Sequence, residues 1–262
     1  MYLNNNNKYD CCGCSACEQI CQKSCISMVA DEEGFLYPSK NITNCVDCGL
    51  CEKVCPFSCY YKGSTNNTPE VYAAYDLANR EGSSSGGIFF TLAKYVIEEK
   101  KGWVFGSAFV GHFSLEHIGV NSVSDLEQLR GSKYLQSKMG NTFMQIKRLL
   151  EEGTSVFFVG TPCQVAGLKA FLRIPYDNLF TADLVCHGVP SQKMFNYHIE
   201  YLEKKYRARL TSYQFRKKNG WGVCEICDFT DPNKHVETPI YDLSPYLYSF
   251  MSAKTYRYSC YN

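Results

Sequence analysis

Eight cysteines near the amino terminus have the spacing of ligands for iron–sulfur clusters. They form two runs, in each of which three cysteines are separated by two residues and a fourth follows after three. Three thiolates at this spacing let one loop wrap a cubane cluster, while the fourth points away and ligates the other cluster. The spacing therefore predicts two [4Fe–4S] clusters. The runs are Cys11, Cys14, Cys17 and Cys21, then Cys45, Cys48, Cys51 and Cys55, with Pro56 after the second.

If each run gives its fourth cysteine to the cluster of the other run, the eight cysteines form two ligand sets. This is the arrangement of bacterial two-cluster ferredoxins. Zinc sites and disulfide frameworks explain the pattern less well, because zinc prefers paired cysteines that lie well apart in the sequence. Gln22 stands where a second proline is usual, and Cys12, Cys25 and Cys59 are interpreted as packing or spare thiols. The first cysteine set is Cys11, Cys14, Cys17 and Cys55, and the second cysteine set is Cys45, Cys48, Cys51 and Cys21.

Composition limits the classes of function. The 262 residues carry a net charge of +1 without a basic patch, which argues against nucleic acid as a partner. Apolar runs are too short for membrane insertion, and the polar start, Met1 to Asp10, does not resemble a signal peptide. Sixteen cysteines then indicate metal or redox chemistry in a reducing compartment, so we expect a cytoplasmic protein.

The pattern of elements predicts two domains. Residues 1–62 are expected to form an α+β, ferredoxin-like cluster domain with a hairpin at Asp31–Pro38, and the polar residues 63–69 a linker. Strands and helices then alternate, which predicts an α/β domain over residues 70–262 with a mostly parallel or mixed sheet. Expected strands are 71–75, 103–110, 155–159, 179–185, 214–216 and 224–229, and expected helices are 86–100, 141–152, 162–172 and 191–206.

Three loops at strand ends carry unusual chemistry. The loop Arg80–Gly87, rich in serine and glycine, suits a phosphate or flavin contact as well as a flexible linker. The second loop, Gly131–Tyr134 with Arg130 and with Gln136 and Ser137, offers two cations and several hydrogen-bond donors, but it is equally typical of a solvated loop. In the third loop, Gly160–Gln164, Cys163 lies in a helix's first turn, where its thiolate is stabilised or where it is a buried structural cysteine. Cys186 and His187 follow the next strand, which favours a redox or cluster site at this edge.

Six motifs in order resemble the coenzyme F420 hydrogenase/dehydrogenase beta-subunit family, in the form that carries a ferredoxin domain in front. The resemblance implies a flavoprotein with FAD between one-electron clusters and a two-electron substrate. The motifs are SSSGG (83–87), VFGSAF (104–109), LRGSKYLQS (129–137), GTPCQVAGL (160–168), DLVCHGVPS (183–191) and FRKKNGWG (215–222).

The resemblance also implies residue roles. No side-chain nucleophile is required, although Cys163 and His187 would lie near the flavin. A third [4Fe–4S] cluster would take Cys163, Cys186 and Cys260, and the chain stops before the second cysteine of the carboxy-terminal pair, so we expect truncation. FAD contacts would be Ser83, Ser84, Ser85, Gly86, Gly87, Arg130, Gly131, Ser132 and Lys133.

Two functions remain open. One is an FAD- and [4Fe–4S]-dependent oxidoreductase that exchanges electrons with a redox partner protein or ferredoxin and with a small two-electron substrate, coenzyme F420 or another hydride acceptor. The alternative is an electron-transfer subunit that relays electrons to a partner protein without a flavin substrate of its own.

The remaining candidate groups have weaker patterns. Cys224 and Cys227 form a CxxC on an expected strand, where their side chains point to opposite faces, which disfavours a redox pair. Four histidines lack a partner pattern and are expected to be surface or core residues. They are His112, His117, His198 and His235.

Overall fold

The computed structural model describes residues 1–60, 68–216, 222–239, 242 and 244–251. Residues 1–60, the cysteine-rich segment, contain short elements joined by tight turns. Such a segment buries little apolar surface of its own, so it depends on ligands and on the rest of the chain for stability. Its elements are α1 (Tyr2–Asn5), a 3₁₀ helix (Lys8–Asp10), α2 (Ala16–Gln19), β1 (Ile26–Ala30), β2 (Leu36–Lys40) and α3 (Leu50–Lys53).

The expected hairpin in this segment is confirmed. Strands β1 and β2 pair antiparallel, with Ile26 opposite Lys40 and Ala30 opposite Leu36. Asp31 closes the turn, because its Oδ1 accepts from the backbone nitrogens of Glu33 and Phe35. The turn is thus fixed by side-chain to backbone bonds of the kind that aspartate makes readily.

The next part of the chain forms a mixed α/β layer. The sheet has the order β4-β3-β5-β6, in which β3, β5 and β6 are parallel and β4 is an antiparallel edge strand. This confirms the expected α/β class with a mixed sheet. The elements are α4 (Leu77–Arg80), α5 (Ile88–Glu98), β3 (Trp103–Val110), β4 (Ser114–Val120), a 3₁₀ helix (Asp125–Leu129), α6 (Thr142–Glu151), β5 (Val156–Gly160), α7 (Pro162–Leu172) and β6 (Leu179–Asp183).

Helices cover both faces of this sheet. In β5, Val156 and Phe158 pack with α6 and α7, whereas Phe157 between them packs with α5. This alternation follows from the two-residue period of a strand and explains why β5 reads as a continuous apolar run. Cys12 and Cys14 belong to the same core as α6 and α7, so the cysteine-rich segment packs directly on that face.

A second, antiparallel sheet follows, with the order β7-β8-β9. Its core is aromatic: Phe195, Phe215 and Tyr246 are buried together and their rings lie 5.2–6.5 Å apart. The elements are α8 (Gln192–Tyr206), β7 (Leu210–Arg216), β8 (Val223–Phe229), β9 (His235–Glu237) and α9 (Pro245–Met251). In the described residues no helix is long and apolar enough to cross a membrane.

Two expectations about strands were wrong or incomplete. Residues 71–75 are not a strand, and Val71 and Tyr72 are 89% and 78% exposed. Their β-branched and aromatic side chains suit a strand, but a strand also needs a paired neighbour, which this segment lacks within the described residues. Strand β4 was not predicted, although it pairs with β3 along its whole length. Its sequence, SLEHIGV, does not alternate regularly between apolar and polar residues, so it shows no clear strand pattern.

Candidate functional site

The structure brings each cysteine set together around its own hollow. The four members of the first cysteine set line one hollow, together with Cys12 and Ala16. The four members of the second cysteine set line another, together with Cys25 and Lys40. The exchange of fourth cysteines between the runs is therefore present in the geometry. No three His, Cys, Asp or Glu side chains of the described residues converge tightly enough for a single metal ion.

The two runs also repeat at the level of the backbone. Gly13 and Asp47 each precede the second cysteine of their run and have φ of +70° and +47°. Ser15 and Gly49 each follow that cysteine and have φ of +61° and +71°. Left-handed residues at the same two places curl each loop in the same way, which turns the thiols of each run to a common side.

The chemistry of this donor set suits iron–sulfur clusters. Burial raises the pKa of Cys17, and the neighbouring Cys11 and Cys55 thiols raise it further. Burial also raises the pKa of Cys55 and Cys51. Clusters bind thiolates, so a positively charged iron core would supply the charge that these buried groups need in order to deprotonate.

A second site is a pocket of about 380 Å³ at the carboxyl end of β5, in the size range of small-molecule sites. Two of the sequence-predicted loops meet in it, because the pocket is lined by Ser83 to Gly87 and by Arg130 to Lys133. Gly160, Thr161 and Gln164 of the third loop also line it. Its lining residues include two cations and no Asp or Glu, which suits an anionic ligand.

The serine loop leads directly into α5. Gly87 is the N-cap with φ of +85°, and no side chain caps the helix there. Among the described residues, no side chain accepts from the first backbone N–H groups of α5, and this helix end lines the pocket through Ile88 and Phe89. An N-terminus of this kind favours a phosphate oxygen.

Arg130 joins the serine loop to the second loop. Its Nη2 donates to the Asn79 carbonyl at 2.9 Å and to Ser83 Oγ at 3.1 Å, and its guanidinium lies over the Phe90 ring at 4.2 Å. A Cβ at Gly82 would lie 2.1 Å from Nη2, so only glycine permits this approach. The Nε of Arg130 is buried without a hydrogen-bond partner among the described residues.

The side chain of Lys133 stabilises the second loop by binding backbone carbonyls of the same loop. Its ammonium donates to the carbonyls of Leu129, Arg130 and Gly131 at 2.8–3.3 Å. Burial lowers the pKa of Lys133 to about 8. The ammonium therefore shapes the loop as well as giving the pocket a positive charge that weakens in mildly alkaline solution.

His117 on β4 is a pocket residue that the sequence analysis placed among ordinary histidines. Its Nε2 faces the Val159 carbonyl at 3.1 Å and its Nδ1 faces Ser137 Oγ at 2.8 Å. Since a carbonyl only accepts, Nε2 carries the proton and Nδ1 accepts from the serine. Gln164 donates to the same Ser137 Oγ at 2.9 Å. Burial lowers the pKa of His117 to about 4, so the ring is neutral.

Cys163 and Cys186 converge beside this pocket. Cys163 lies in the first turn of α7, with its Sγ 3.2 Å from Thr161 Oγ1. Desolvation raises the pKa of Cys186, and the Cys163 thiol adds to the rise, which places the two thiols near each other. His187 lies 5.2 Å from the Phe250 ring. None of the three is among the pocket-lining residues, and Cys260 lies outside the described residues.

With this geometry described, the chain can be compared with known proteins. Residues 153–261 match a family model that describes the carboxy-terminal part of the coenzyme F420 hydrogenase/dehydrogenase beta subunit. Over these residues the chain is similar to that family. The matched range includes α7 with Cys163 and the strand that leads to Cys186, and it excludes both cysteine runs.

The other comparisons are more distant. One chain of the F420-reducing [NiFe] hydrogenase complex from Methanosarcina barkeri, studied as a xenon derivative, is similar with 16% sequence identity and a TM-score of 0.44. The similarity covers 68% of this chain and 60% of that chain, so the present chain spans about 60% of the length of that relative. Among curated proteins, no sequence matches this chain.

Several pocket residues were not identified from the sequence as site residues. His117 was missed because β4 was not predicted, so nothing connected this histidine to the sheet edge. Ser107 of β3 is a pocket residue inside the recognised motif VFGSAF, but a strand residue gives no sign of which end of the sheet it faces. Gln164 was named in the third loop without a role, and its bond to Ser137 emerges only in three dimensions.

Proposed function

We propose that this protein is an iron–sulfur flavoprotein oxidoreductase. Its two cysteine sets hold [4Fe–4S] clusters and its pocket holds FAD, which exchanges two electrons with coenzyme F420 or another hydride acceptor. A bound flavin would supply the conversion between one-electron and two-electron chemistry. The proposal is supported by the match of residues 153–261 to the model of the coenzyme F420 hydrogenase/dehydrogenase beta-subunit family.

The observation that carries the flavin assignment is the pocket itself. An uncapped helix start, three serine hydroxyls and two cations surround one cavity, and these are groups that bind a pyrophosphate. Arg130 keeps the serine loop and the second loop in contact, and Ser132 donates its backbone N–H to Ser84 Oγ at 2.9 Å. These groups therefore suit the pyrophosphate of a dinucleotide flavin.

The first test is the cofactor content of protein purified without oxygen. We expect about eight irons per chain, with matching sulfide, since two cubane clusters contain that number, and FAD released on heating. Eight irons without flavin would remove the flavoenzyme proposal for this chain and leave an electron relay.

Two substitutions connect that content to residues. Cys17→Ser should lower the iron content by about half, since one of two cubane clusters loses a ligand, whereas Cys59→Ser, at an exposed cysteine outside both sets, should not.

Arg130→Ala should weaken FAD binding at least tenfold, because a buried charge-assisted contact is lost. Arg148→Ala is the matched control, since that side chain is 75% exposed on α6.

A further inference from the structure

The two cysteine sets lie differently with respect to the pocket. Each hollow is lined by residues of the cysteine-rich segment, but in the second cysteine set Cys48 is exposed. In the first cysteine set, Cys14 is 8% exposed and belongs to the core shared with α6 and α7. The first set therefore lies against the part of the chain that forms the pocket, and the second set opens to solvent.

The closest approach between the first set and α7 occurs at Gly167. A Cβ built on Gly167 would lie 2.7 Å from Cβ and 2.9 Å from Sγ of Cys14. Glycine inside a helix is less favourable than alanine, so its presence here needs a reason. Contact of the Cys14 side chain with the helix backbone is that reason.

Cys12 makes a second contact at the same junction. Its side chain is 6% exposed and belongs to the core against which Cys163 of α7 also packs. Its carbonyl accepts from Gln136 Nε2 at 3.0 Å. Cys12 is therefore not a spare thiol, because it lies where the cysteine-rich segment meets the start of α7.

Helix α7 connects this junction to the pocket. Thr161 and Gln164 line the pocket, and Gly167 lies three residues beyond Gln164. Three residues advance a helix by about 4.5 Å. One turn of α7 thus separates a pocket-lining residue from the residue that touches Cys14.

We propose that the cluster of the first cysteine set exchanges electrons with the pocket through the contact of Cys14 with Gly167, and that the cluster of the second cysteine set exchanges them with a soluble one-electron carrier. This order rests on the proposed function. In the reducing direction each reduced cluster loses one electron and returns to its oxidised form. The two electrons and one proton from solvent convert FAD to its anionic two-electron form, and the carrier is oxidised once for each electron. Gly167 is a positioning residue in this scheme.

One test needs no flavin. Paramagnetic clusters broaden the NMR signals of nearby amides, so the α7 amides of Gln164 and Gly167 should be broadened in the cluster-loaded protein. Cys17→Ser, which removes a ligand of the first set, should sharpen them. Cys48→Ser, which removes a ligand of the second set, should leave them broad. The reverse result would overturn the proposed order of clusters even if FAD never binds.

A second test measures electron transfer. In Gly167→Ala the added methyl must displace Cys14, so flavin reduction after rapid reduction of the clusters should slow severalfold at unchanged iron and flavin content. Lys169→Ala on the exposed side of the same helix is the control. An unchanged rate in Gly167→Ala would contradict electron transfer through the contact of Cys14 with Gly167.

The outcomes separate the two proposals. Wild-type protein that holds clusters but no FAD contradicts the proposed function, and the NMR comparison then decides the cluster order alone. If Gly167→Ala does not fold, Cys12→Ala tests the same junction, because Cys12 belongs to neither set and its removal should also slow flavin reduction. An unchanged rate in Cys12→Ala would then count against the junction.

Discussion

Two histidine–carboxylate pairs on β8 show how strongly burial decides the value of one contact. Glu225 Oε2 lies 2.6 Å from His198 Nε2 and accepts from Tyr213 OH, and both members of the pair are nearly inaccessible. Asp228 Oδ1 lies 2.8 Å from His235 Nδ1, but those two side chains are about half exposed. The two distances are similar, but removing the carboxylate costs more free energy in the buried pair, where the histidine is left without an acceptor and away from water.

We therefore expect Glu225→Ala to lower the free energy of unfolding by about 3 kcal/mol, because a buried histidine and tyrosine lose their acceptor. Asp228→Ala should change it by less than about 1 kcal/mol, the usual value of an exposed pair. Denaturant unfolding of the two variants and the wild type measures both. Equal effects would show that burial does not set the strength of these pairs.

His117 should make stability depend on pH in acid. Its pKa is about 4 in the folded protein and 6.5 as a free side chain, so the unfolded state binds the proton first. Stability contributed by the neutral ring is complete above pH 6.5 and is lost as the pH falls toward 4. One pKa unit is about 1.4 kcal/mol, so the loss reaches about 3 kcal/mol. In His117→Gln this part of the pH dependence should disappear, and in His235→Gln, at an exposed ring, it should remain.

Lys133 should make flavin binding depend on pH in alkali. With its pKa at about 8, the ammonium is charged at pH 7 and mostly neutral at pH 9, whereas Arg130 stays charged throughout. The dissociation constant of FAD should therefore rise across this range in the wild type. It should stay nearly level in Lys133→Met, while the exposed control Lys138→Met should behave like the wild type. Fluorescence titration at several pH values makes the comparison.

At the scale of elements, α6 depends on a cap from a distant part of the chain. Its N-cap, Asn141, makes no side-chain cap bond, and Gln19 Oε1 accepts from the backbone nitrogens of Phe143 at 2.8 Å and Met144 at 3.2 Å instead. Gln19→Ala should lower the free energy of unfolding by about 1–2 kcal/mol, as loss of a helix cap does. Gln22→Ala, at an exposed position, should have no measurable effect on chemical unfolding.

The same scale shows what local sequence could predict. Helix α7 was predicted with its observed bounds, because Thr161 and Pro162 are start signals that act within a few residues. Whether β4 and residues 71–75 form strands depends on the presence of a neighbouring strand, which the local sequence does not specify. The cap from Gln19 was equally hidden, since more than a hundred residues separate donor and acceptor in the sequence.

At the scale of the whole molecule, the cysteine-rich segment and the α/β layer share one core. Ala16 and Val54 are fully buried in the same cluster as Phe143 and Leu168. Ser191 Oγ donates to the Glu33 carbonyl, and Lys193 Nζ donates to the Glu32 carbonyl at 2.8 Å, so the hairpin turn also contacts α8. Loss of the clusters should therefore also destabilise parts of the chain outside residues 1–60.

Iron removal by a chelator should raise amide hydrogen exchange in α6 and α7 as well as in the cysteine-rich segment, because their common core loosens. Exchange in β7 and β8 should change little, since that sheet has its own aromatic core. Exchange that rises only within residues 1–60 would contradict a shared core.

The sequence identified the loops that meet in the pocket more completely than the side chains around them. The spacing of cysteines specifies the two sets because the chain itself carries the ligands in register. The serine loop and the Arg130 loop were found through motifs, and the pocket brings them together. The place of His117 in the pocket and the burial of Cys12 in the core beside α7 could not be predicted, because each depends on how distant segments pack in the folded protein.

The Gly34 turn has a consequence for how the chain is assembled. Its φ of +87° and its contact with Lys193, where a Cβ would lie 2.3 Å from the lysine Cβ, require a glycine. Domains synthesised first usually fold first, yet this turn finds its support on α8, which leaves the ribosome more than 150 residues later. The turn therefore emerges with an uncovered docking face, which is completed only after α8 has been synthesised.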